Sequence, residues 1–298
     1  MRLVTLATGA PAAIVDDRIL DLSHLADSVL DILVAPEAAR AAVAAADPAT
    51  LPRRSGTPLA PPIVPRTIFA VGYNYRGHAS ADPGAVVEDP AHPDVFLKAP
   101  GALGGPDDPV ILPPESRDVD YEAEIALVIG KPGRAIPAAD ALDHVAGYTL
   151  LNDVSARDWQ NRTSQWTLGK NFDGFAPLGP AVVTADEIPD PTDLLVEAMR
   201  DGQVTLSQST STLIFPFAEL VAYISQAVTL RPGDVISTGT PQKLATAFAT
   251  HRPLADGDEV TIRAAGIGEL TTRFVAPPSA GAPRLDPPGA PAAPQETP

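Results

Sequence analysis

Residues 117–129 read Arg117-Asp118-Val119-Asp120-Tyr121-Glu122-Ala123-Glu124-Ile125-Ala126-Leu127-Val128-Ile129. The apolar run from 121 to 129 predicts a strand. Side chains alternate along a strand, which puts Glu122 and Glu124 on one face. The opposite face collects Tyr121, Ala123, Ile125, Leu127 and Ile129 and reads as core. Two adjacent carboxylates repel and raise one pKa unless a cation sits between them. A hard divalent ion with oxygen ligands relieves that repulsion. A solvated strand face carries the same spacing, so the pair alone leaves both readings open.

A third carboxylate follows an apolar run. Residues 147–151 lead into Asn152-Asp153-Val154-Ser155-Ala156-Arg157-Asp158-Trp159-Gln160, a polar junction of the kind that carries site residues. A helix beginning near Asp153 would set Arg157 and Gln160 on its own face, offering a carboxylate, a guanidinium fork and an amide. An N-cap aspartate with an Asp–Arg helix pair is the structural alternative. Lys170, among small and aromatic residues in Gly169-Lys170-Asn171-Phe172, suits an anionic substrate or a proton transfer; a snorkelling surface lysine is the alternative. His78 lies just past Val71-Gly72-Tyr73-Asn74-Tyr75-Arg76-Gly77, in a turn where a general base would be carried. None of the five histidines has metal-pair spacing.

These residues need a frame. Short β-type runs at 67–72, 121–129, 147–151, 181–184, 234–238 and 259–264 are bounded by Gly, Pro or Asp, whereas helical stretches are few: 36–46, 138–143, 155–163 and 217–227. The absence of regular strand–helix alternation argues against a doubly wound sheet or a (β/α)8 barrel, and a mixed α+β, mainly β body fits. Prolines at 52, 58, 61 and 62 separate a small N-terminal domain (1–60) from a main body (65–275). Residues 276–298 hold eight prolines and little large apolar surface, and read as a disordered tail.

The 298 residues bury a core without staples, and the chain has no cysteine, which excludes disulfides, thiolate metal sites and cysteine nucleophiles. With 21 Lys plus Arg against 37 Asp plus Glu the formal charge is −16, unsuited to nucleic acid. No apolar run nears the roughly 18 residues of a membrane span, and the start of the chain is a poor signal peptide; a cytoplasmic protein is expected.

As an ordered set these segments resemble the fumarylacetoacetate hydrolase family. The matching pieces are Gly72-Tyr73-Asn74-Tyr75 with His78, Asp120-Tyr121-Glu122-Ala123-Glu124, and the stretch from Asn152 to Gln160. Gly169-Lys170-Asn171-Phe172-Asp173, Leu230-Arg231-Pro232-Gly233-Asp234 before Thr238-Gly239-Thr240-Pro241, and Gly266-Ile267-Gly268-Glu269-Leu270 complete it. The resemblance implies a β-roll catalytic domain, usually in a homodimer. It implies that Glu122, Glu124 and Asp153 hold Mg²⁺, with Mn²⁺ or Ca²⁺ as substitutes. His78 would activate water, with Lys170 and Arg157 assisting catalysis, while Gln160, Thr240 and Tyr73 would contact a small keto-acid substrate. The expected reaction is hydrolytic C–C cleavage of an acylpyruvate or fumarylpyruvate through an enolate. An oxaloacetate-type decarboxylase or a 2-hydroxy-dienedioate isomerase or tautomerase is the alternative, and a non-catalytic member a third.

Two positions depart from the family pattern. Many members carry a glutamate three residues after the histidine, paired with it; here that residue is Ala81, and Asp82 or Glu88 would have to replace it. Loss of the dyad favours the alternative reactions. The glycine-rich turn that usually follows Thr238-Gly239-Thr240-Pro241 is replaced by Gln242-Lys243-Leu244-Ala245, which reshapes a pocket wall. Residues 79–93, rich in Asp, Pro and Gly, read as a lid.

Overall fold

The computed structural model describes residues 1–77 and 88–278. His78, Ala81, Asp82, most of the expected lid and most of the Pro-rich tail lie outside the described residues.

Two sheets carry the chain. The larger has eleven strands, nine of them in the order Arg18–Asp21, Pro11–Val15, Arg2–Leu6, Ala176–Thr184, Val145–Asn152, Ala123–Ile129, Val235–Ser237, Ile68–Gly72 and Asp94–Lys98. Leu59–Ala60 pairs with Arg2–Leu6, and Leu103–Gly104 with Ala176–Thr184. The smaller sheet runs Gln203–Ser209, Leu195–Arg200, Glu259–Ala264, Gly268–Val275, Val110–Ile111. Most pairings are antiparallel; Val235–Ser237 runs parallel to Ile68–Gly72.

The larger sheet is rolled. Lys98 ends the edge strand, four strands away from Val145–Asn152, about 19 Å in a flat sheet at the usual inter-strand spacing. Yet its ammonium touches the carboxylate of Asp153, immediately after that inner strand. Five residues on, Leu103–Gly104 joins the Ala176–Thr184 strand and ties the edge back to the interior. The expected β-roll is the fold.

Alternation along Ala123–Ile129 sorts side chains into two cores. Ile125, Leu127 and Ile129 enter the large core beneath the second sheet, while Ala126 and Val128 enter another with Met1, Leu3, Leu22 and Ile32. Residues 1–60 therefore extend the same sheet, through Arg2 and Leu3 opposite Val183 and Val182, and share a core with it. The helix Phe217–Ala227 buries Phe217, Leu220, Val221 and Ile224, the spacing of one helical face, against the large core.

Other elements depart from the sequence reading. The helix expected over 155–163 is a single turn, Arg157–Gln160, because Ser155 and Ala156 pair instead with Asp120 and Val119 as a two-stranded ribbon. The hairpin of Leu195–Arg200 and Gln203–Ser209 and the strand Asp94–Lys98 were not anticipated. Among the described residues no helix is long and apolar enough to cross a membrane.

Candidate active site

Strand register assembles the acidic cluster. Ala123 faces Asn152 and Glu124 faces Leu151, so the residues just beyond the ladder, Glu122 and Asp153, fall opposite one another. The Asp153 amide donates to the Glu122 carbonyl at 3.0 Å, and the Glu122 amide to the Asn152 side chain at 3.2 Å. Asp153 is thus fixed by sheet pairing and is not a helix cap. The strand on the other flank supplies donors to Glu124: Ser237 Oγ at 2.5 Å and the Gly239 amide at 3.1 Å, both to Oε2. Gly239 sits at φ +94°, where an added Cβ would come 3.0 Å from Asn74 Cβ and 3.1 Å from the Val71 carbonyl, so that turn requires glycine.

Glu122, Glu124 and Asp153 each bring an oxygen within 4.8 Å of the other two. All three are buried, Asp153 completely. Lys170 Nζ donates to Glu122 Oε2 and to Asp153 Oδ2, each at 2.7 Å, and Lys98 donates to Asp153 Oδ1. Lys98 and Lys170 are 3% and 2% exposed, so their charges must be met inside the protein. Burial alone would lower the Lys170 pKa, but Asp153 and Glu122 outweigh it and raise it. Lys98 is pushed down by burial and by Lys170, against the pull of Asp153. Burial, then the charges of Asp153 and Glu122, push the Glu124 carboxyl well above the usual carboxylate range.

Lys98 is a site residue the sequence reading missed. It stands 55 residues before Asp153 at the end of an ordinary-looking strand, and only the rolling of the sheet joins them. The one local signal was a lysine at i+2 from Phe96, on the same strand face.

Arg157 projects from the single helical turn. Its Nη1 donates to Glu122 Oε1 at 2.6 Å and to Gln160 Oε1 at 3.0 Å, and its Nη2 to Asp120 Oδ2 at 3.1 Å. Arg157 and Gln160 therefore do meet, although no helix begins at Asp153. Gly169 permits the close approach of the next segment: a Cβ there would lie 2.4 Å from the Gln160 amide nitrogen. Thr240 Oγ1 accepts from the Ala123 amide at 3.0 Å, tying the turn that carries it to the start of the acidic strand.

Two hollows meet at Glu122, Arg157 and Thr240. A narrow one of about 50 Å³ is walled by Tyr73, Phe96, Trp166 and Lys170. Trp166 takes Tyr73 and Phe96 edge-on, with ring centres 5.4 and 5.5 Å away. The wider cavity, about 430 Å³, runs outward past Asp120, Lys243, Phe248 and His251. Of the sequence-based candidates, Glu122, Glu124, Asp153, Lys170, Arg157 and Gln160 thus gather at one point, with Thr240 and Tyr73 lining the approach. Glu88, one candidate to replace the dyad glutamate, is exposed.

Residues 67–275 match the fumarylacetoacetate hydrolase C-terminal family. The chain belongs to this family. It is 43% identical to a mitochondrial oxaloacetate tautomerase of Rattus norvegicus over 238 residues, 80% of this chain and 75% of that protein. Among solved structures, the maleylpyruvate hydrolase of Sphingobium sp. SYK-6, in complex with manganese(II) and pyruvate, is 30% identical and superposes with a TM-score of 0.78 over 93% of this chain and 99% of that one. A probable 2-hydroxyhepta-2,4-diene-1,7-dioate isomerase from Mycobacterium abscessus is 32% identical, with a TM-score of 0.78 over 93% and 98%. Membership of a family of tautomerases, hydrolases and isomerases fixes the scaffold and leaves the reaction to the site.

The donor set fits a divalent ion. Lys98, Lys170 and Arg157 pair with Asp153, Glu122 and Asp120, whereas Glu124 is held by the neutral donors Ser237 and Gly239. The Glu124 carboxyl is raised chiefly by burial and then by the charges of Asp153 and Glu122, costs that a bound cation would offset. Oxygen-only ligands suit Mg²⁺, Mn²⁺ or Ca²⁺ rather than a soft metal.

Proposed function

We propose that this family member is a divalent-metal-dependent enzyme interconverting the enol and keto forms of a 2-oxo acid, with Mg²⁺ or Mn²⁺ held by Glu122, Glu124 and Asp153. The observation that carries the proposal is the buried carboxylate triad opening through Glu122 onto a cavity bordered by Arg157 and Thr240. An ion held there supplies a Lewis acid that polarises the 2-oxo group and offsets charge developing on its oxygen. Lys170 remains an ammonium through its two carboxylate partners and holds Glu122 and Asp153 in place. Arg157 presents its fork at the junction of the two hollows, oriented by Glu122, Asp120 and Gln160, where it can grip a substrate carboxylate. Trp166, Phe96 and Tyr73 wall the inner hollow with apolar surface, which strengthens these charge interactions.

Tautomerisation is preferred to hydrolysis for a sequence reason: Ala81 stands where many members of the family carry the glutamate of the water-activating dyad. The 43% identity to an oxaloacetate tautomerase points the same way. Hydrolysis of an acylpyruvate, favoured by the likeness to maleylpyruvate hydrolase, is the second reading. The test strips the protein of metal, restores Mg²⁺ or Mn²⁺, and follows loss of enol-oxaloacetate in one cuvette and pyruvate release from acetylpyruvate in another. We expect metal-dependent loss of the enol, abolished in Asp153→Asn. Pyruvate release without enol conversion would establish the hydrolase instead, and no metal-dependent rate on either compound would overturn both.

A further inference from the structure

The wider cavity has an outer wall that the triad does not explain. Its central residue is Lys243, in the segment that replaces the family's glycine-rich turn. The segment is pinned to the second sheet: Leu206 bridges to Lys243, and the Leu244 amide donates to the Thr205 carbonyl at 2.8 Å. The Lys243 ammonium donates to Asp120 Oδ1 at 2.5 Å, lies 4.7 Å from the centre of the Tyr121 ring, and stands 3.2 Å from His251 Nδ1. A fixed ammonium therefore faces a cavity where the family pattern would leave a bare backbone turn.

The charge ledger shows what such a cation is for. Asp120, Glu122, Glu124 and Asp153 form one continuous network with Lys98, Lys170, Arg157 and Lys243, four carboxylates against four lysine and arginine cations. A divalent ion at the triad adds two positive charges, which a dianionic ligand neutralises. Without Lys243 the loaded network would carry one charge, the match for a monocarboxylate. Asp120 and the Arg157 guanidinium stand between Lys243 and Glu122, so an anionic group meeting Lys243 belongs to the far end of the ligand.

We propose that Lys243 is a specificity-determining residue of this chain that binds a ligand carboxylate remote from the 2-oxo end. This rests on the 2-oxo acid reading above and adds the other end of the molecule. Phe248 and Leu206, on the same wall, accommodate the carbon chain between the two charged ends.

The test compares binding of 2-oxoadipate and 2-oxohexanoate, equal in length and differing in the terminal carboxylate, to the Mn²⁺-loaded protein by calorimetry. The wild type is expected to bind 2-oxoadipate about tenfold more tightly, the worth of one charge-assisted hydrogen bond. K243Q should bring the two affinities within about twofold of one another, and K243R should keep most of the preference. Equal wild-type affinities, a preference that survives in K243Q, or no binding of either compound overturns the assignment. Binding without turnover separates the two proposals: a Lys243-dependent preference in a protein inactive on enol-oxaloacetate and acetylpyruvate would keep the subsite and refute the reaction.

Discussion

Replacing Lys98 by methionine tests whether the buried ammonium groups and a divalent ion share the task of neutralising the triad. Methionine nearly conserves the apolar stem, so the change removes chiefly the ammonium. Lys98 is wholly buried, donates to Asp153 Oδ1 and lies 2.5 Å from the Lys170 carbonyl. Breaking a buried pair at one partner costs about 3–5 kcal/mol, because a charge is left unmatched. Lys170 still reaches Asp153 at 2.7 Å, which places the expectation at the lower end, about 3 kcal/mol. For a chain of this size that lowers the midpoint of thermal unfolding by roughly 6–12 °C in metal-stripped protein. The triad then has one ammonium fewer to offset its three carboxylates, so a divalent ion should gain affinity. Ligand at one hundred times its Kd stabilises by about 2.7 kcal/mol, and at fixed Mn²⁺ the tighter-binding variant must gain more than the wild type. The assay is thermal unfolding followed by circular dichroism, for both proteins, with chelator and then with Mn²⁺. The reasoning is refuted if stripped K98M melts within about 2 °C of the wild type, or if Mn²⁺ raises its midpoint no further than it raises that of the wild type.

Three other expectations use different parts of the site. Glu124→Gln should abolish most Mn²⁺ affinity while leaving the metal-free fold at least as stable, since the lost charge is one that burial and its neighbours disfavour; calorimetry and unfolding midpoints check both halves. Because the folded, metal-free pKa of Glu124 is raised above the ordinary 4.5, its contribution to stability is fully present below that value and is lost as pH rises through the folded pKa. Metal-stripped protein should accordingly lose stability as pH rises from 4.5, and Mn²⁺ binding within that window should release a proton, read from the buffer dependence of the binding enthalpy. Gly169→Ala forces a methyl against the Gln160 backbone and should cost about 1–3 kcal/mol, seen in the unfolding midpoint, with a fall in kcat/KM from displacement of Arg157 and Gln160.

The carboxylates were legible because strand periodicity is a strong local signal. Alternation alone put Glu122 with Glu124, and the core it assigned to Ile125, Leu127 and Ile129 is the large core of the structure. Asp153 was found by type and position but for a mistaken reason: the stretch after it looked helical, whereas Ser155 and Ala156 pair with the ribbon strand that precedes Glu122. Local propensity cannot see a partner 35 residues away. Lys98 was invisible on the same ground, since its meaning depends on the sheet rolling until an edge strand touches an inner one. The N-terminal strands went unread because the strand they join, Ala176–Thr184, lies far along the chain, whereas the helix expected over 36–46 is present as Glu37–Ala45. The pairing of Arg2 with Val183 joins them to the larger sheet.

The site has two kinds of support. Each triad carboxylate is fixed by backbone pairing or by a donor on an adjoining strand: Glu122 and Asp153 by the ladder end, Glu124 by Ser237 and Gly239. Their positions are therefore set by the sheet. The outer wall belongs instead to the segment after Thr240, which holds Lys243 and the five-residue helix Ala245–Ala249. Segments of that kind accept substitution without disturbing a ladder. A rigid inner site beside a replaceable outer wall explains how relatives on this scaffold are named for tautomerase, hydrolase and isomerase reactions. On the role proposed for Lys243, the choice of substrate in this chain lies where its sequence leaves the family pattern, at Gln242-Lys243-Leu244-Ala245.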